Sequence, residues 1–231
     1  MNKAAFEIFP AFAIPFAKTG LPEAEALNQQ LAALFRDRAS EGAAYRNINS
    51  VMAQSDAMFE SRFDLWHWDE APVRHLRDFC TAALFKVVGE LNGYSDQELS
   101  SMRLNADAWF HLTAKGGSFG FHNHPMASWS GVYCVHSGYS EGERPESGVL
   151  QFMHPASTAN MFVDLGVINL RSPWGVRPHE YRLRAGELVI FPSWVMHQVL
   201  PYLGEQTRIT VAFNAWFRQV GQESPSDSSP T

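Results

Sequence analysis

Three separated fragments hold the residue types that could do chemistry. They are His122-Asn123-His124-Pro125, Phe191-Pro192-Ser193-Trp194-Val195-Met196-His197 and Arg208-Ile209-Thr210-Val211-Ala212-Phe213. Imidazole is a good ligand for iron, zinc, copper and nickel. Residues two apart on a β-strand point to the same face. His122 and His124 are therefore expected to grip one metal from one strand, with His197 closing the site from another. Arg208 falls in an alternating segment whose shared face also carries Thr210, Ala212 and Asn214. A lone cation on such a face is costly to bury unless paired. A carboxylate ligand would satisfy it bidentately; the bland alternative is a salt bridge to Glu187 or Glu205. Ser130 and Tyr133 could place hydroxyls near the same pocket, and Asn214 could bond a ligand or pin backbone. His136, His154 and His179 lack partner spacing. The tryptophans Trp109, Trp129, Trp174, Trp194 and Trp216 are expected to pack in the core rather than line a pocket.

These side chains need a scaffold, and its texture changes along the chain. Residues 6–16 are aromatic and apolar but interrupted by Pro10 and Pro15, which predicts an edge strand or an extended arm. Pro22 to Gly42 carries Leu27, Leu31, Leu34 and Phe35 at helical spacing. Residues 45–68 have no steady period and are expected to be an irregular connection that drapes over a site. Asp69 to Leu91 predicts a second helix, with Asp69 as cap, Pro72 in the first turn and Asn92-Gly93 as the stop. Ser95 to Met102 adds one short helix.

From Arg103 onward the pattern becomes short strands with turn signals. We expect strands near 103–113, 117–124, 128–136, 147–153, 180–184, 187–192, 197–203 and 207–217. Eight short strands after helices predict a mainly β fold with helices (α+β). Its architecture would be a double-stranded β-helix, a cupin-like jelly roll with the N-terminal helices packed on one sheet. Residues 154–179 form a long Pro-containing segment, and such loops tend to be functional. The organisation expected is one domain over 1–217, with 1–102 as the N-terminal strand and helices, 103–217 as the jelly-roll core, and a disordered tail over 218–231.

In this order the fragments resemble the Fe(II)/2-oxoglutarate-dependent oxygenases, and most of all a bacterial subfamily of them. That subfamily carries a Trp-x-Asn segment, a Gly, a His-x-His-Pro, a Ser-Gly-Val-Tyr-Tyr-like strand and a Phe-Pro-Ser-x-x-x-His…Arg-Ile-x-x-x-Phe-Asn ending. The matching residues are Trp109-Phe110-His111, Gly116, His122 to Pro125, Ser130-Gly131-Val132-Tyr133-Cys134, Phe191 to His197 and Arg208 to Asn214. The resemblance covers residues 103–217 well and the N-terminal part loosely. It implies Fe(II) held by His122, His124 and His197, 2-oxoglutarate as cosubstrate with its far carboxylate on Arg208, and O2 as oxidant. Tyr133, Ser130 and Asn214 are the further candidates for cosubstrate binding.

The implied activity is that of a dioxygenase hydroxylating an unactivated C–H of a small molecule or amino-acid-like substrate. Two departures stand out. His124 occupies the wider superfamily's carboxylate position, so the centre would be three neutral imidazoles. His111 and Cys134 stand where the subfamily has Asn and Tyr. The rival readings are a three-histidine cupin-type dioxygenase without 2-oxoglutarate, a non-catalytic metal- or ligand-binding jelly roll, and a structural domain that binds nothing.

Composition narrows the partners. A net charge of −6 gives no basic patch, which argues against nucleic acid. No apolar run reaches the roughly 18 residues of a membrane span, and the N-terminus lacks a signal-peptide pattern. Two cysteines, Cys80 and Cys134, are too few for a disulfide framework and fit a reducing, cytoplasmic setting. A small-molecule substrate is the expected partner, and a homodimer is left open.

Overall fold

The structure, a computed structural model, describes residues 7–50, 53–139, 144–158, 162 and 164–220. Its elements in chain order are β1 (Ala17–Gly20), α1 (Ala24–Ser40), β2 (Met58–Glu60), α2 (Ala71–Asn92), α3 (Asp96–Ser100), β3 (Met102–Thr113), β4 (Phe119–His122), β5 (Trp129–His136), β6 (Leu150–Phe152), β7 (His179–Tyr181), β8 (Glu187–Pro192), β9 (His197–Val199) and β10 (Arg208–Gln219). The strands form two antiparallel sheets. The larger runs β1-β8-β5-β10-β3-β2 and the smaller runs β4-β9-β6-β7. This is the expected jelly roll.

Alternation along the central strands explains the layering. On β10, Ile209, Val211, Phe213 and Ala215 face the helices, as do Tyr133 and Val135 on β5 and Leu188 and Ile190 on β8. They meet Leu27, Leu31 and Phe35 of α1 and Val73, Leu76, Cys80, Leu84 and Val88 of α2 in one core. Phe35 and Phe110 stack with ring centroids 4.4 Å apart. The opposite faces of the same strands supply Cys134, Val189 and Phe191. These pack against Leu150 and Phe152 of the smaller sheet in a second core. Close approach matters at Gly131: a Cβ there would lie 2.2 Å from the Phe213 ring, so β5 and β10 could not keep this register with any larger residue.

Several local expectations need correction. Residues 7–16 form no strand; the edge strand is β1, immediately after them. Phe6 lies outside the described residues. Phe16 instead packs its ring against Phe152, Tyr181 and Phe191. Asp69 does not cap α2. Glu70 holds the N-cap position without a side-chain cap bond, and its carboxylate pairs with Arg38 at 3.1 Å. Gly93, at φ 69°, ends α2 as expected, and Ser95 with Glu98 forms a capping box on α3. The segment 45–68 is not wholly irregular, because it contains β2. The tail does not begin at 218, since β10 pairs Gln219 with Met102; residues 221–231 lie outside the described residues. In the smaller sheet β6, β7 and β9 are three residues each, shorter than the sequence suggests.

Candidate metal and cosubstrate site

The site begins with backbone pairing. β4 and β9 are antiparallel neighbours, and His122 and His197 are register partners. Directly opposed side chains on one face are close, and the two rings lie 4.2 Å apart between centroids. His124 is placed differently from the expectation. β4 stops at His122, so the two histidines do not share one strand. His124 sits just beyond, where its backbone N–H donates to the Ser193 carbonyl at 2.9 Å in the turn between β8 and β9. That bond swings its ring to 5.0 Å from His122 and 5.3 Å from His197.

One ligand nitrogen from each of the three histidines lies within 4.8 Å of the others. Among the described residues no acid joins this cluster. The Nδ1 atoms of His122 and His197 face the carbonyls of Gly120, at 2.7 Å, and Val195, at 2.9 Å. A ring that donates Nδ1–H to a carbonyl offers its Nε2 lone pair to a metal, and the bond fixes ring orientation. Burial pushes all three imidazoles below their ordinary range, to about 4 for His124 and about 3 for His197. Neutral imidazole is the metal-binding form, so the donor set suits a divalent ion.

The same shifts carry a stability consequence. In the unfolded chain these histidines bind protons near pH 6.5, while the folded metal-free protein resists doing so until about pH 4 and 3. Between those limits the unfolded state binds more protons, so stability falls as pH falls. Metal-free protein is expected to lose melting temperature steadily from about pH 6.5 downward. A Tm flat to pH 4 would show that burial of these rings does not tax folding.

The histidines open into a cavity of about 150 Å³ between the two sheets. Arg208 and Thr210 reach it from β10, Trp109 and His111 from β3, and Glu60 from β2. Arg208 is 4% exposed, and its Nε has no hydrogen-bond partner among the described residues. The two salt bridges considered for it are absent. Glu187 pairs with Lys18 at 2.7 Å and Glu205 pairs with Lys115. Gly148, at φ 61°, lies alongside, and a Cβ there would press on Tyr202 at 3.0 Å and on the Arg208 stem at 3.4 Å. A buried guanidinium that lines a cavity offers donors that suit a carboxylate.

Ser130 and Asn214 line this cavity as anticipated. The Ser130 hydroxyl bonds Asn214 Oδ1 at 2.7 Å and Ser193 Oγ at 2.8 Å. Tyr133 does not. Its odd register on β5 turns it to the helix face, where its hydroxyl donates to Asn28 Oδ1 at 2.8 Å. Of the tryptophans, only Trp109 is in the cavity wall, while Trp174 and Trp194 are exposed. Sequence reasoning missed Glu60 altogether. The available signal was an acid inside an apolar Met-Phe-Glu triplet of the segment expected to drape over a site.

Residues 107–214 match a family model described as "Putative 2OG-Fe(II) oxygenase". This matched span is the jelly-roll core that carries the histidines and Arg208. Over this span the chain matches that family. The family uses Fe(II), 2-oxoglutarate and O2, and the cluster and orphan arginine fit both groups. A search of curated proteins found none that matches the chain. Among solved structures, a Pseudomonas putida prolyl-4-hydroxylase is 20% identical at TM-score 0.56, covering 90% of this chain and 94% of that one. A prolyl hydroxylase from Trichoplax adhaerens is 9% identical at TM-score 0.55, covering 87% and 83%. The non-heme alpha-ketoglutarate-dependent epimerase SnoN from nogalamycin biosynthesis is 13% identical at TM-score 0.54, covering 94% and 87%. At these identities the likeness is one of fold. Among the described residues no helix is long and apolar enough to cross a membrane.

Proposed function

We propose that this oxygenase hydroxylates an unactivated C–H bond of a small, amino-acid-like substrate. In this reading His122, His124 and His197 hold Fe(II), and Arg208 holds the far carboxylate of 2-oxoglutarate. The observation that carries it is a three-imidazole cluster in one cavity with a buried guanidinium whose Nε has no partner among the described residues. Bound Fe(II) would activate O2, the oxidant, with 2-oxoglutarate as co-reductant: one oxygen atom would end in succinate as CO2 is lost, and the other in the hydroxyl group of the substrate.

The chain's own residues bind, aim and exclude water. The Gly120 and Val195 carbonyls hold the His122 and His197 rings, so the metal meets ligands already oriented. Arg208 fixes the cosubstrate's far end, and orientation of this kind supplies much of the rate in bound reactions. Ser130 donates a hydrogen bond to the Asn214 amide oxygen, which leaves the Asn214 amide nitrogen as the donor that would meet the cosubstrate. Apolar walls from Phe119, Val132 and Phe191 keep the reacting centre dry.

The direct test is anaerobic titration with Fe(II) and then 2-oxoglutarate, followed by visible spectroscopy. A weak metal-to-ligand charge-transfer band is expected; a spectrum without one overturns the cofactor pair. His124 has its own test, because it stands where a carboxylate would complete a more common iron face. His124→Asp is expected to keep binding Fe(II), since oxygen and imidazole donors both suit it. His124→Ala should weaken iron about tenfold or more, by analogy with the loss of even an outer-sphere partner. Unchanged iron affinity in both variants would make His124 a bystander.

A further inference from the structure

We propose that Glu60 is the substrate anchor of this cavity and that it takes a cationic nitrogen, an ammonium or guanidinium group. The proposal rests on the oxygenase reading for the reaction but on different residues for the recognition.

Glu60 ends β2, and its side chain is 3% exposed. It lines the cavity that contains the histidine cluster. Carboxylates are almost never buried this deeply without a partner. Here the partners are the Asn47 amide nitrogen, at 2.7 Å from Oε1, and His111 Nε2, at 3.1 Å from Oε2. Among the described residues no lysine or arginine pairs with it. Burial alone would push this carboxyl up, but the bonds from His111, then Asn47 and Ser50, hold it below its ordinary range. The cavity therefore contains a carboxylate that neither the three clustered imidazoles nor Arg208 contacts, with His111 as its one imidazole partner among the described residues. Arg208 is on β10, with β3 lying between it and β2.

The bonding at His111 is incomplete in a way that points to a ligand. Its Nε2 lies 3.1 Å from Glu60 Oε2 and also 3.1 Å from the indole nitrogen of Trp109. A ring nitrogen offers either one proton or one lone pair. With a proton it serves Glu60 and leaves the Trp109 N–H without an acceptor. With a lone pair it serves Trp109 and leaves Oε2 without that donor. An N–H group arriving from a ligand supplies Oε2 and frees Nε2 to accept from Trp109. Both contacts are then satisfied at once.

The surrounding walls favour a charged donor over a neutral one. Phe63 and Trp109 pack with centroids 4.3 Å apart, and both border the cavity beside Glu60. Aromatic faces attract ammonium and guanidinium groups, and bonds between charged partners are about twice as strong as neutral ones. The anion-binding end at Arg208 and the cation-binding end at Glu60 thus sort cosubstrate from substrate by charge.

The test uses full-length parent, Glu60→Gln and Glu60→Asp, each loaded anaerobically with Fe(II) and 2-oxoglutarate. L-arginine is titrated against L-citrulline, and n-hexylamine against n-hexanol, by calorimetry. The parent is expected to prefer the cationic member of at least one pair by about tenfold or more. Glu60→Gln should lose that preference, and Glu60→Asp should keep part of it. No preference in the parent, or full preference in Glu60→Gln, overturns the proposal. Should Glu60→Gln fail to fold or load, the comparison moves to Glu60→Asp, where equal weakening of cationic and neutral probes overturns it. The charge-transfer band is read separately: its absence in the parent defeats the cofactor reading, while the calorimetric preference still decides the role of Glu60.

Discussion

His197→Ala is expected to give folded protein that no longer retains Fe(II). The ring is 4% exposed and lies between Phe152 and Phe191, at 5.6 Å and 5.0 Å. It is the innermost of the three imidazoles and the register partner of His122. Removing it leaves two donors, one of them on a turn. Outer-sphere partners of metal ligands are worth about 10–100-fold in affinity, and a direct ligand is worth more. The structural cost is modest, because the strands pair through backbone and the lost side chain leaves a small void, at about 1–3 kcal/mol. Iron stoichiometry after desalting, read beside a circular dichroism spectrum, separates the two effects. Parent stoichiometry in a folded variant would remove His197 from the metal site.

Arg208→Ala is expected to leave iron binding near the parent level and to cripple 2-oxoglutarate binding. The guanidinium is buried and pairs with no carboxylate among the described residues, which suits a partner supplied by a ligand. Truncating one side of a buried, hydrogen-bonded charge pair costs about 2–5 kcal/mol, roughly 30-fold to several thousandfold in Kd. Isothermal titration of the iron-loaded variant with 2-oxoglutarate measures it. Equal affinity in variant and parent would give Arg208 a purely structural role. The variant should also fold at least as well without ligand, because it relieves a buried, uncompensated charge.

The parts legible in the sequence were those with a strong period or a rare residue set. α1 and α2 announced themselves by apolar spacing over many turns. β10 showed its two faces through strict alternation, which correctly placed Arg208 and Asn214 together. The same alternation should have excluded Tyr133, since Ser130 and Tyr133 are an odd number of residues apart and cannot share a face of β5. A three-residue strand such as β2 carries too little pattern to be seen. Glu60 was invisible for that reason: its depth comes from pairing with β3, a long-range contact. His124 reached the cluster by a different route from the one its spacing suggested, through a backbone bond to Ser193 rather than strand geometry.

The two halves of the proposed site stand on different sheets, His122 and His197 on the small one and Arg208 on the large one. Backbone ladders join strands within each sheet, while packed side chains, helped by a few loop bonds such as His124 N–H to the Ser193 carbonyl, join one sheet to the other. A metal and 2-oxoglutarate held by these residues would span that seam as a rivet would. Any opening that parts the sheets must first release it, so occupancy suppresses such openings by the factor 1 + [L]/Kd. Fraying of β7, at the outer edge of the small sheet, does not touch the rivet and proceeds as before. Filling the site would thus set which motions the protein still has, and leave them to elements outside the cavity wall such as β7.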